Sequence, residues 1–158
     1  MLSKERHQTA TGPGAARADV CKLGPHSIND CRLRYHRPSR LGVQGMLVDI
    51  PVHTTLAAAI ANIPQHYITF LQTSHGKTRS ASGLGNYMKS WCIEASLPNC
   101  TSFGLRRACE KRIQEAGHLE QPIAAVLGYV STTTPHKRVG MSSRAHLADT
   151  AITAMPSL

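Results

Sequence analysis

The segment 101–117 constrains the fold most strongly, because its apolar residues recur at the spacing of an α-helix. The residues with this spacing are Leu105, Ala108, Cys109, Ile113 and Ala116. Such spacing places apolar side chains along one helix face. We predict an amphipathic helix that Ser102 caps at its start and that Gly117 ends in a left-handed conformation. Arg106 borders the apolar stripe, where a cation can point into a cleft.

The rest of the chain predicts a mostly helical α+β domain with a small antiparallel sheet. Helical patterns cover 15–23, 54–63, 81–95, 120–128 and 142–154, and strand patterns cover 32–35, 46–51 and 68–71. A basic loop, 36–42, joins the first two strands. We expect one domain over 15–154, with a frayed segment at 1–14 and a short tail at 155–158.

Size and composition are consistent with one domain that has a real core. The chain has 158 residues, and 41% of them are hydrophobic, which suits a single domain of ordinary size. No apolar run approaches the roughly 18 to 20 residues of a membrane span. The first 15 residues are polar and charged and do not form a signal peptide. These features predict a cytoplasmic protein without a membrane partner.

The cysteines and histidines do not form a metal-binding pattern. The five cysteines include no Cys-x-x-Cys pair, and their odd number argues against a disulfide framework. The nine histidines also lack the paired spacing of structural zinc sites. We therefore expect no metal and no cofactor.

The charge balance indicates a polyanionic partner. The net charge is +9 and the sequence pI is about 9.8. Most of the excess lies towards the two ends of the chain, in 1–45 and 101–158. Nucleic acid is the commonest partner of such a basic domain. Simple solubility, or basic drift in a sequence under no selection, is the alternative explanation.

Several segments resemble the tyrosine recombinases of the phage-integrase family. The segment 102–107 reads Ser-Phe-Gly-Leu-Arg-Arg and resembles the family's His-x-x-Arg box. Segments before it, from 50 to 77, and after it, at 127–129, match in order and spacing. The resemblance spans about 11–154 and implies the fold of a DNA breaking and rejoining catalytic domain. The family's amino-terminal helical domain has no counterpart, so we expect this chain to be a fragment.

The resemblance also implies a chemistry that this chain has largely lost. In the family, a tyrosine attacks a DNA phosphodiester to give a 3′-phosphotyrosyl link, assisted by two arginines, a lysine and a histidine. Arg106 retains one arginine position. The positions of the other arginine, the histidine, a second His/Trp and the tyrosine are occupied by Ala16, Phe103, Tyr129 and Arg138. The lysine of the first hairpin has no counterpart, and we expect a catalytically inactive protein.

The remaining basic residues predict contacts with the phosphate backbone of double-stranded DNA. The candidate contact residues are Arg17, Arg37, Arg40, Lys77, Arg106, Arg107 and Lys111. Two other interpretations stay open: an interaction protein that joins intact recombinase subunits through its last helix, and a decayed reading frame. Tyr129 is a conceivable replacement nucleophile, although ordinary packing at a helix end explains it better.

Overall fold

The computed structural model describes residues 15–38, 45–64, 66–128 and 140–155, which form six α-helices and one small sheet. The elements in chain order are α1 (Arg17–Val20), β1 (Ile28–Asn29), β2 (Arg32–Arg37), β3 (Met46–Pro51), α2 (Thr54–Ala61), α3 (Ala81–Glu94), α4 (Ser102–Glu115), α5 (Glu120–Leu127) and α6 (Met141–Ala154). The predicted fold class, mostly helical α+β with a small antiparallel sheet, is confirmed.

The sheet is antiparallel, with strand order β1-β2-β3. Leu33 of β2 pairs with Ile50 of β3, and both side chains are buried. Alternation along β2 places Tyr35 and Arg37 on the same face as Leu33, towards the helices. The two strands were predicted, but β2 continues two residues beyond the predicted end and so brings Arg37 into the sheet.

Two apolar clusters hold the helices in place. The larger lies between the sheet and helices α4, α5 and α6, and it includes Leu33, Val48, Ile50, Ile113, Val126, Leu127 and Ile152. The second surrounds α3 and includes Val20, Leu71, Leu84, Met88 and Trp91. Helix α5 is buried at every position from Ile123 to Leu127, as expected for a helix that is apolar on all sides.

The start of α4 differs from the sequence-based expectation. Thr101, not Ser102, is the N-cap, and its Oγ1 accepts a hydrogen bond from the Gly104 amide at 3.0 Å. Ala108 was placed on the buried stripe but is exposed, whereas Cys109 is buried. At the other end, Gly117 has φ +86°, so the predicted left-handed termination is confirmed.

Two other predicted elements are shorter or absent. Helix α1 covers only 17–20 of the predicted 15–23. The strand predicted at 68–71 does not form, and the Phe70 amide donates to the Leu23 carbonyl at 2.9 Å. The nearest ladder contact is a single bridge between Gln72 and Thr78. A β-rich sequence run without a neighbouring strand to pair with forms bends instead.

Some predictions fall outside the described residues. These are the frayed segment 1–14, Arg40 in the basic loop, Tyr129, Arg138 and most of the tail. Among the helices that the structure describes, none has the length and apolar character to cross a membrane.

Candidate functional site

Two arginines from distant parts of the chain converge on one backbone oxygen. The Nη1 atom of Arg37 donates to the carbonyl oxygen of Leu127 at 2.6 Å, and the Nη2 atom of Arg106 donates to the same oxygen at 2.5 Å. The two nitrogens therefore lie within about 5 Å of each other. We call these two side chains the arginine pair.

The end of α5 explains why the arginines meet there. The carbonyl of Leu127 belongs to the last turn of the helix, where it has no intrahelical partner and carries part of the negative end of the helix dipole. Gly128 ends the helix at φ +66°. A Cβ at this glycine would lie 2.5 Å from Cγ2 of Val48 and 3.2 Å from Cδ of Arg37. Only glycine allows strand β3 and Arg37 to approach this closely.

A buried carboxyl lies next to the arginine pair. Asp19 of α1 is 6% exposed, and its Oδ2 atom has no hydrogen-bond partner within the described ranges. Burial raises the pKa of Asp19, and the nearby charges of Arg37, Arg106 and Lys22 partly offset this effect. The carboxyl and the arginine pair therefore interact electrostatically.

Tyr35 contributes a buried phenol to the same place. Its hydroxyl is buried and has no hydrogen-bond partner in the described part of the chain. Burial raises the pKa of Tyr35 far above its usual value, and Asp19 adds to this effect while Arg106 and Arg37 oppose it. Tyr35 is thus a neutral phenol at any physiological pH.

This arrangement suits binding of an oxyanion better than proton transfer. Two guanidinium groups that share one oxygen atom can offer their donors to a phosphate or carboxylate. A guanidinium keeps its proton across the biological pH range and is a poor acid catalyst. The described side chains near the pair that could otherwise exchange a proton are Asp19, Tyr35 and Cys109. The carboxyl, the hydroxyl and the thiol are all buried.

Of the other predicted site residues, Ala16 lies beside the Asp19 carboxyl, whereas Arg17, Phe103 and Arg107 are exposed. Ala16 is the N-cap of α1. Arg17 is exposed, and its guanidinium lies so close to Gly85 that a Cβ there would collide with it. Phe103 and Arg107 are both exposed on α4.

Two further residues that were predicted to contact phosphate, Lys77 and Lys111, lie in exposed local structures. Lys77 lies in an exposed turn in which its carbonyl accepts from the Thr73 amide at 2.8 Å. Lys111 forms an exposed ion pair with Glu115 at 3.5 Å. Neither residue is drawn towards the arginine pair by a described contact.

Sequence reasoning did not identify Asp19, Tyr35 or the Leu127 carbonyl as parts of the site. A signal was present for Asp19, since it is the one acid in the segment 15–23, next to the apolar Val20 and Cys21. The alternation of β2 also places Tyr35 and Arg37 on one face. A backbone carbonyl has no sequence signal at all. Within the described ranges, no group of three potential metal ligands occurs.

No protein-family model matches the sequence, and comparison with curated proteins finds no similar one. Solved structures do match. An integrase from mycobacterium phage Brujita has a TM-score of 0.68 at 13% identity over 99% of this chain. A lambda integrase dimer bound to a COC′ core site has a TM-score of 0.61 at 16% identity over 89%.

The chain has the fold of a tyrosine-recombinase catalytic domain. The Tn1549 transposon integrase in complex with circular intermediate DNA also shares it, with a TM-score of 0.63 at 13% identity over 90% of this chain. The fold that the resemblance implied is thereby confirmed. The recombinase-like chain spans 57%, 53% and 55% of the lengths of these three integrase chains.

Proposed function

We propose that this recombinase-like domain binds the phosphate backbone of double-stranded DNA through the arginine pair and does not cleave the strand. The fold, shared with integrases whose structures contain DNA, supports the first part. The net charge of +9 supports it as well. The second part depends on the residues that occupy the family's catalytic positions.

The shared contact on Leu127 is the observation that carries the proposal. A phosphate oxygen bound at this site would offer the arginine pair a charged acceptor in place of a neutral carbonyl. Hydrogen bonds to charged groups contribute about 1.5 to 3 kcal/mol each, roughly twice the value for neutral pairs. The donors of Arg37 and Arg106 are already gathered around one oxygen atom, so little side-chain ordering is needed on binding.

The absence of strand cleavage follows from the available nucleophiles. The position that the resemblance assigns to the attacking tyrosine is Arg138, and the sequence has no tyrosine after Tyr129. The hydroxyl of Tyr35 is buried, and its raised pKa makes its phenolate scarce. Ala16 also removes one charge-stabilising donor, a loss that typically lowers a rate by roughly 10² to 10³.

DNA binding can be tested by fluorescence anisotropy with a labelled duplex across a salt series. We expect Arg37→Met and Arg106→Met each to weaken binding about tenfold and to lower the salt slope by about 1, because each removes one phosphate contact. Lys89→Met removes one charge from an exposed position on α3 and is the matched control. Equal affinities for all four proteins would contradict the assignment of the pair.

Cleavage can be tested separately with a nicked half-site duplex, which traps a covalent protein–DNA adduct. We expect no adduct after denaturing electrophoresis. An adduct that disappears in Tyr129→Phe would identify Tyr129 as a nucleophile and would overturn the proposal of an inactive domain. An adduct lost in Tyr35→Phe would do the same for the buried phenol.

Association with intact recombinase subunits is the second candidate function. The observation that favours it is the length of the match, since lambda integrase is a dimer in its COC′ complex and this chain spans about half of that protein. Helix α6 packs Ala148, Ala151 and Ile152 into the core of its own chain, while Met141 at its start is exposed. Pull-down with an integrase should therefore weaken in Met141→Asp if this helix end makes the contact.

A further inference from the structure

A second polar feature lies outside the arginine pair, in a cavity between the segment 66–76 and helix α3. The cavity has a volume of about 520 Å³, within the range of roughly 300 to 1,000 Å³ that is usual for small-molecule sites. Phe70, Leu71 and Trp91 form an apolar part of its lining. Gln72, Thr73 and Ser74 supply a polar wall.

Arg79 is the charged side chain of this cavity. The residue is 8% exposed, and its guanidinium carbon lies 3.8 Å from the centre of the Tyr87 ring. Within the described ranges, no carboxylate, carbonyl or hydroxyl accepts a hydrogen bond from this guanidinium, and no ion pair involves it. Its nitrogens are not among the buried side-chain atoms that lack a hydrogen-bond partner, so they are accessible from the cavity that Arg79 lines. The Tyr87 ring holds the guanidinium by a cation–π contact, which contributes about 0.5 to 2 kcal/mol and leaves the hydrogen-bond donors of Arg79 available to a ligand.

We propose that this cavity binds a small organic carboxylate with an apolar or aromatic body. The guanidinium fork of Arg79 matches a carboxylate in bidentate geometry. Among the described lining residues, no acid competes for the guanidinium and no lysine or second arginine adds charge. A single negative charge therefore suits the site better than a polyphosphate. The body of the ligand would pack against Trp91 and Leu71.

Trp91 provides a direct measurement of occupancy. It is the single tryptophan of the sequence and lines the cavity while being 5% exposed. Titration with sodium benzoate should therefore change the tryptophan fluorescence along a saturable curve. Benzyl alcohol has a similar ring without the charge and should produce a response at least about tenfold weaker, because it lacks the charge-assisted hydrogen bonds.

The decisive variant is Arg79→Met, which should weaken benzoate binding about tenfold or more. Lys89→Met removes the same charge from an exposed position on α3 and should bind benzoate as the unmodified protein does. If Arg79→Met does not fold, Ser74→Phe replaces it, because Ser74 is an exposed residue of the cavity wall. The larger side chain should block the mouth of the cavity and weaken binding.

Three outcomes would overturn the proposal. Equal responses to benzoate and benzyl alcohol would show an apolar cavity without an anion site. Inorganic phosphate that competes better than benzoate would assign Arg79 to phosphate, and a parallel loss of DNA affinity in Arg79→Met would assign it to DNA. A complete lack of response in the folded, unmodified protein would show that the cavity binds no organic carboxylate.

Discussion

At the scale of single residues, the arginine pair has an acidic neighbour, Asp19. Asp19 is buried beside Arg37 and Arg106. A fully ionised carboxylate that was hydrogen-bonded to them would neutralise part of their positive charge. The Oδ2 atom of Asp19 accepts no hydrogen bond in the described part of the chain, and burial raises the pKa of Asp19. The guanidinium charges of Arg37 and Arg106 oppose that increase, so the carboxyl and the arginine pair interact electrostatically.

The raised pKa of Asp19 predicts a specific pH dependence of stability. The folded protein binds this proton more tightly than the unfolded chain, whose carboxyl titrates near pH 3.9. The contribution of Asp19 to stability is therefore most favourable below that pH and is lost as the pH rises through the higher folded-state pKa. Asp19→Asn should remove this loss, so the variant should gain stability relative to the unmodified protein as the pH is raised.

Urea unfolding between about pH 4 and pH 8 measures this difference. Asp30→Asn, which removes a carboxyl from an exposed position, is the matched control. If the stability difference between Asp19→Asn and the unmodified protein does not change with pH, the pKa of Asp19 is not raised in the folded protein.

At the scale of elements, the end of α5 determines the geometry of the site. Gly128 combines a positive φ with close contacts to β3 and to Arg37. Gly117 at the end of α4 also has a positive φ, but a Cβ there would have no atom within 4 Å. Substitutions at the two glycines therefore distinguish the free-energy cost of backbone strain from the cost of steric conflict.

Gly117→Ala should cost roughly 1 to 2 kcal/mol in free energy of unfolding, because the alanine must adopt a left-handed conformation. Gly128→Ala should cost about 1 to 3 kcal/mol more, because its methyl group also meets Val48 and Arg37. Chemical denaturation of both variants measures these values. Equal losses would mean that β3 moves aside without cost.

Most elements could be predicted from the sequence because their signals are local. The periodicity of α4 and of α3 gave their extents to within two residues. The prediction of a strand at 68–71 was wrong because β structure depends on a partner strand, which no local pattern reveals. The capping residue of α4 was displaced by one position, since Thr101 and Ser102 are both good caps and only the backbone decides between them.

The site was less predictable than the elements for a related reason. The position of Arg106 beside the apolar stripe follows from helix periodicity, and the structure finds it half-buried. Arg37 and Arg40 were equivalent candidates in the sequence, because both were placed in the loop predicted at 36–42, whereas Arg37 belongs to β2. The meeting of Arg37 with the Leu127 carbonyl joins residues 90 positions apart, and such a contact emerges only from the tertiary packing.

At the scale of the whole molecule, α6 completes the core. It packs against α5 and β3, and Ala148, Ala151 and Ile152 are buried in the larger cluster. Arg32 of β2 strengthens this closure by donating to Asp49 and to Asp149, each at 2.6 Å. The sheet and the last described helix therefore depend on each other.

Ile152→Ala should destabilise the protein by about 2 to 5 kcal/mol, because it leaves a cavity between the helix and the rest of the core. Thr153→Ala changes an exposed neighbour on the same helix and should stay within about 0.5 kcal/mol of the unmodified protein. Thermal unfolding of the two variants compares them directly. Similar small effects would show that α6 adds little to the cohesion of the core.

The contact between Arg32 and Asp149 spans 117 positions, and this separation has a consequence for biosynthesis. A nascent chain cannot pack α6 against β3 and α5 until the ribosome has passed Asp149. Long-range closure of this kind slows folding and prolongs the exposure of apolar surface. Chaperones that recognise such surface should therefore associate with this polypeptide during translation and release it once the helix has docked.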